Sequence, residues 1–224
     1  MMPQSLDPVG ATPSGMASPK PAASAAPVTR LFLHVGCGRA RADRLPPCFR
    51  EPGWREIRLD IDPEVGPDIV ASMTDMAKVP DGAFDAVWSS HNLEHLNSFE
   101  VPLALNEFVR VLKPDGFALI NLPDLRAIAR YILADNLNNP MYCAEVGIIT
   151  PLDVLFGHQR SLQNGHHYMA HRTGFTASTL GQFLLDAGFA EVRVTEGRSW
   201  DLWALALKPD SPLSLLDEVA GAMQ

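Results

Sequence analysis

No uninterrupted apolar run of about 18 or more residues occurs in the chain, so the sequence predicts no membrane span. Cysteine is scarce. There are three, Cys37, Cys48 and Cys143, with no Cys-x-x-Cys spacing, which excludes a disulfide framework and points to a reducing, cytoplasmic setting. Basic charge is also short: 18 Lys and Arg stand against 26 Asp and Glu, a net charge of −8. Such a surface is a poor match to nonspecific binding of nucleic-acid phosphates. The N-terminus lacks a basic start followed by an apolar core, so no secretory signal is expected. Internal repeats are absent.

What is present is 46% hydrophobic residues in 224, enough for one sizeable core. Residues 1–28 are rich in Pro, Ala, Ser and Gly and carry too little apolar surface to offset ordering entropy; a disordered tail is expected. The domain is expected over 29–209, with a second tail at 210–224. Short apolar runs predict strands at 30–35, 54–62, 68–72, 84–90 and 117–123. Residues 100–113 predict a helix, with Val101, Leu105, Phe108, Val109 and Leu112 near one face, stopped by Pro114-Asp115-Gly116. Strands alternating with helical segments imply a mostly parallel sheet flanked by helices. Residues 176–189 predict a further helix, capped by Thr176 or Ser178 and closed by Gly188. Two strands then follow closely, 190–197 and 200–209, and can pair only as an antiparallel hairpin. Residues 124–175 are expected to be an insertion of helices and loops.

In open parallel sheets ligands sit at the carboxyl ends of the strands. The segments after the strands carry Gly36-Cys37-Gly38, Asp60-Ile61-Asp62, Asp75, Ser90-His91-Asn92 and Asp124. Glycines on the first turn let a ligand approach the backbone. An acid after the second strand can accept both hydroxyls of a ribose. Asp75 could accept from a base amino group. Together these describe a nucleoside ligand without an obvious phosphate anchor. A nicotinamide oxidoreductase is disfavoured, because Arg41 stands where the third glycine of that fingerprint belongs.

Four stretches, LHVGCG, RLDIDP, DMAKVPDGAFDAVWSSHNLEHL and EFVRVLKPDGFALINLPD, closely resemble the class I S-adenosylmethionine-dependent methyltransferases over about residues 30–124. The resemblance implies an α/β, Rossmann-like fold: a seven-stranded, mostly parallel sheet flanked by helices, with a C-terminal antiparallel hairpin. It implies S-adenosylmethionine as cofactor, with Gly36, Cys37 and Gly38 near its methionine part and Asp60 on its ribose hydroxyls. Ile61 would lie against the adenine, Asp75 and Met76 would face the adenine edge, and Ser90 would line the site. His34 stands where the family usually has the acid that helps hold the cofactor's ammonium group, and Ala40 where it has a further glycine. A non-catalytic binding protein that kept the fold is therefore the alternative to an enzyme.

For acid–base work His91 is the first candidate, with His167 and His171 next. His91, Glu94 and His95 fall in SSHNLEHL, where a metal pair lacks a clear third ligand nearby, so no metal is expected. Residues 157–175 hold four histidines at no standard zinc spacing; a substrate-facing lid, helped by Arg160, Tyr168 and Arg172, is the functional reading and a packed surface loop the plain one. A small-molecule or sugar-type acceptor suits the acidic surface better than DNA or RNA. The atom methylated and the oligomeric state are left open by the sequence.

Overall fold

In the computed structural model, residues 29–144, 146–219 and 221 are described. The tail expected over residues 1–28 lies outside them. Seven strands form one sheet: β1 (Arg30–Val35), β2 (Trp54–Asp60), β3 (Ile69–Val70), β4 (Phe84–Ser90), β5 (Leu112–Pro123), β8 (Glu191–Glu196) and β9 (Asp201–Leu207), in the order β3-β2-β1-β4-β5-β9-β8. Pairs among the first five are parallel, while β9 runs antiparallel to both β5 and β8. The expected sheet and its terminal hairpin are both present.

The period-two alternation of these strands builds a core on each face. Leu33, Val35, Val87, Ala118, Ile120, Ala204 and Ala206 point to one side. There α2 (Val101–Val111) and α6 (Ala177–Asp186) cover them with Val101, Leu105, Phe108, Leu180 and Leu184. The helix predicted over 100–113 ends at Val111, and β5 begins at once; Pro114 and Asp115 are an exposed jut at its start rather than the stop. A capping box, Thr176 with Thr179, opens α6, and Gly188 follows its end at φ +104°.

Phe32, Ala86, Trp88, Phe117, Leu119, Leu205 and Leu207 point the other way. This face has little helix of its own, because the β1–β2 connection holds just a 3-10 turn (Ala42–Arg44) and the four-residue α1 (Pro47–Arg50). Aromatic rings supply the volume instead: Phe49 stacks on Phe32 at 4.3 Å between centroids and meets Trp54 edge-on at 5.2 Å. The rest is supplied by α7 (Leu215–Glu218), in the segment expected to be a tail. Leu215, Leu216 and Val219 pack against this cluster, and Arg193 Nη1 donates to the Leu216 carbonyl at 2.8 Å.

The insertion contains α3 (Leu125–Leu133), α4 (Pro151–Phe156) and α5 (Gln159–Gln163), plus an antiparallel pair, β6 (Tyr142–Ala144) and β7 (Gly147–Ile149). The pair was not foreseen, since three-residue strands carry no readable period. Ile128, Ile149 and Val154 give the insertion a small core over Trp200. It stands at the carboxyl end of β5, beside the ends of β1 and β4.

Candidate active site

Among the described residues, a pair of clefts opens at the carboxyl ends of the parallel strands. The first, about 470 Å³, is bounded by the ends of β1 and β2, residues 71–74, and the 91–96 turn. The second, about 480 Å³, lies under the insertion. His91, His95 and Met169 line both.

The glycine turn is built to bring backbone to the first cleft. Gly36 sits at φ +63°, and a Cβ there would fall 1.9 Å from Asn92 Oδ1. Asn92, which the sequence places after β4 without a role, ties the end of β1 to the end of β4: its Nδ2 donates to the Val35 carbonyl at 2.7 Å and to the Ser90 carbonyl at 3.2 Å. Gly38 sits at φ +55°, and a Cβ there would meet nothing within 4 Å, so the open space beside it belongs to the cleft. Asp60 braces the turn, accepting from Gly38 N at 2.8 Å and from Asp62 N at 3.0 Å. Each of its oxygens keeps a lone pair for a further donor. Arg58 clamps the same region, donating to the carbonyls of Gly38 and Gly66.

These features fit S-adenosylmethionine. A volume near 470 Å³ suits a nucleoside-sized ligand, for which pockets of about 300–1,000 Å³ are usual. Two positive-φ glycines meet an acceptor acid at the next strand end. Ile61, 47% exposed, Met73 and Leu96 add apolar walls.

Of the residues singled out from sequence, Gly36, Gly38, Asp60 and Ile61 line this cleft together. Cys37 is buried beneath the turn; burial pushes its thiol up to about 11, partly opposed by Arg58. His34 turns away from the cleft to Glu56, with Nδ1 2.6 Å from Oε1, so a carboxylate stands beside it after all. Asp75 is exposed and accepts from Ala77 N at 3.3 Å, and Met76 is wholly buried. Ala71, Ser72, Met73 and Thr74 line the cleft instead. Ser90 lines the second cleft.

His91 and His171 line the second cleft, whereas His167 is exposed and lines neither. His91 adopts φ +51°, a left-handed conformation rare for a residue with a side chain, with its N–H held by the Asn121 carbonyl at 2.8 Å. The bend stops β4 and leaves half of the side-chain surface open between the clefts. Its Nδ1 lies 3.3 Å from Glu94 Oε1. Burial disfavours the imidazolium and Glu94 favours it; the net direction is up. For Glu94 burial opposes ionisation and His91 favours it, and the net direction is down. Burial lowers His171, against the pull of Glu94. His95 is not the helical neighbour of His91 that a four-residue spacing suggests: Leu93–His95 is a 3-10 turn.

From the 157–175 segment, His166, Tyr168, Met169 and Arg172 reach the first cleft and His158, Met169 and His171 the second, so the segment walls both. Gly157 lets it fold tightly, since a Cβ there would fall 2.0 Å from the Met169 carbonyl oxygen.

Among known proteins, residues 33–120 match the profile of a family described as a methyltransferase domain. The fold is shared with an S-adenosylmethionine-dependent methyltransferase from Archaeoglobus fulgidus: TM-score 0.53, 18% identity, 81% of this chain and 87% of that one. The PH0226 protein of Pyrococcus horikoshii aligns at TM-score 0.56 and 12% identity, over 80% of this chain and 82% of that one. A second S-adenosylmethionine-dependent methyltransferase, from Methanosarcina mazei, aligns at 0.52 and 16%, over 81% and 93%. Comparison with curated proteins finds no match.

Proposed function

We propose that this chain is a class I S-adenosylmethionine-dependent methyltransferase and that it methylates a small molecule held in the second cleft. The reading is supported above all by the shared wall: His91 and His95 face both clefts. A methyl donor in the first cleft and a nucleophile in the second would meet there.

S-adenosylmethionine supplies a methyl group already activated by its sulfonium. The chain therefore has to bind, orient and, for a protonated nucleophile, remove a proton. Asp60 would accept the ribose hydroxyls while holding the Gly38 turn against the methionine end. Ile61, Met73 and Leu96 would enclose the base. Holding donor and acceptor in line can itself lower the barrier by up to roughly 7–11 kcal/mol. His91 is the base best placed at the junction, since it faces both clefts. Tyr142, Ile149 and Val154 give the second cleft apolar surface, and Asp153 and His158 give it polar groups, a lining suited to a small, partly polar acceptor.

Calorimetric titration with S-adenosylmethionine and S-adenosylhomocysteine tests the first half. Hydrogen bonds to a carboxylate contribute about 1.5–3 kcal/mol, so Asp60→Ala is expected to weaken binding roughly 10- to 150-fold. Equal binding by folded Asp60→Ala would remove Asp60 from the site. Methyl transfer to a panel of hydroxyl, amine and thiol acceptors tests the second half.

A further inference from the structure

We propose that Glu94, His95 and His171 form a binding site for one divalent transition-metal ion of the zinc class, in the wall between the two clefts. One ligand atom from each lies within 4.8 Å of the other two. A tetrahedral ion with bonds of about 2.0–2.2 Å sets its ligand atoms about 3.3–3.5 Å apart, so small side-chain rotations close the site.

Three further observations point to a cation. Both histidines engage a backbone carbonyl through Nδ1, His95 at Ala170 O (3.2 Å) and His171 at Val154 O (2.7 Å). A carbonyl only accepts, so each ring carries its proton on Nδ1 and keeps the Nε2 lone pair free. This is how metal-ligating histidines are oriented. Their rings meet edge-on, with centroids 4.9 Å apart. Next, Glu94 is 1% exposed, and neither carboxylate oxygen has a hydrogen-bond partner. His91 Nδ1, 3.3 Å from Oε1, is an ion-pair neighbour of one oxygen, and Oε2 is left with no partner. A buried carboxylate so poorly satisfied is costly, and a metal ion would satisfy it. Finally, the backbone assembles the cluster: Arg172 N and Thr173 N both donate to the Glu94 carbonyl, at 2.8 and 3.2 Å, and His171 N donates to Phe156 O at 3.2 Å.

The donor set also indicates the ion. Two imidazoles and one carboxylate suit zinc, cobalt or iron(II) over magnesium or calcium, which take oxygen ligands. Three protein ligands leave a fourth position open, the pattern of metal sites that bind water or a substrate oxygen. The expectation of no metal rested on local spacing; the third ligand arrives from His171, far along the chain.

The test uses the full chain, stripped with a chelator and titrated with Co²⁺ in a spectrophotometer, with Zn²⁺ as competitor. One equivalent with the absorption of a low-coordinate nitrogen- and oxygen-ligated cobalt is expected, displaced by Zn²⁺ and not by Mg²⁺. Glu94→Gln and His171→Ala should each weaken binding by more than about 100-fold, beyond the loss of an outer partner. Cys143→Ser should leave it unchanged. Folded wild type that binds no ion, or binds it as well in the Glu94→Gln/His171→Ala variant, would overturn the site. Should those variants fail to fold, the wild-type spectrum decides: an octahedral, water-like cobalt also overturns it. Cofactor titration of the metal-free protein runs separately, so failure of the metal site and failure of the methyltransferase reading are distinguishable.

Discussion

Gly36 and His91 both occupy left-handed backbone, for opposite reasons. Gly36 has no room for a side chain, because Asn92 fills the place where its Cβ would go. Gly36→Ala therefore meets a backbone cost of about 1–3 kcal/mol and displaces Asn92 as well. In a chain of this size the melting temperature should fall by roughly 2–12 °C, measured by calorimetry. His91 keeps its side chain at φ +51° despite the strain. His91→Gly relieves that strain but removes the cation nearest the buried Glu94, so its melting temperature should shift little while methyl transfer drops by about 10²-fold or more. A variant that melts lower but turns over normally would make His91 a packing residue.

At the scale of the element, the loop between β3 and β4 is held by two residues of α2, Arg110 and Glu107. Arg110 donates to the carbonyls of Met76 and Val79, both at 2.8 Å, and to Asp81 Oδ1 at 2.6 Å; Glu107 orients it at 2.6 Å and accepts from Met76 N. Residues 71–74, which wall the first cleft, lead directly into this loop. Hydrogen bonds from Arg110 hold the Glu107 carboxyl below its ordinary value, against burial. An acid depressed in the folded state adds stability that is complete above its unfolded value, about 4.3, and is lost as pH falls through the folded one. Glu107→Gln should therefore flatten the acid side of a stability-against-pH curve, read by urea unfolding, and loosen cofactor binding. The strands and α2 were legible because apolar runs and helical spacing are local properties. The insertion was not, because its short elements take their order from packing on Ile128 and Trp200. The same limit applies to the site. A glycine turn followed by an acid can be seen in sequence, whereas the roles of Asn92 and Glu94 depend on groups that only the fold brings near. Asp75 and Met76, which the resemblance places at the adenine edge, follow the residues 71–74 that line the cleft.

For the whole molecule, the two faces of the sheet are closed unequally. One is covered by α2 and α6, the other by aromatic rings and α7. Removing residues from 211 onward should expose the cluster around Phe32 and Trp88, lowering the melting temperature and raising binding of a hydrophobic dye. Unchanged melting would show that the aromatic rings suffice. The strand order carries a further consequence, for translation. On its far side from β4, β5 is paired by β9, which among the described residues is made after every other strand. Until residues 201–207 leave the ribosome, β5 presents a bare parallel-sheet edge, apolar on both faces and open to pairing with any other nascent chain. A ribosome that stalls before Asp201 therefore releases a five-stranded sheet whose apolar β5 edge is adhesive, and one that passes Leu207 releases a sheet in which β9 covers that edge.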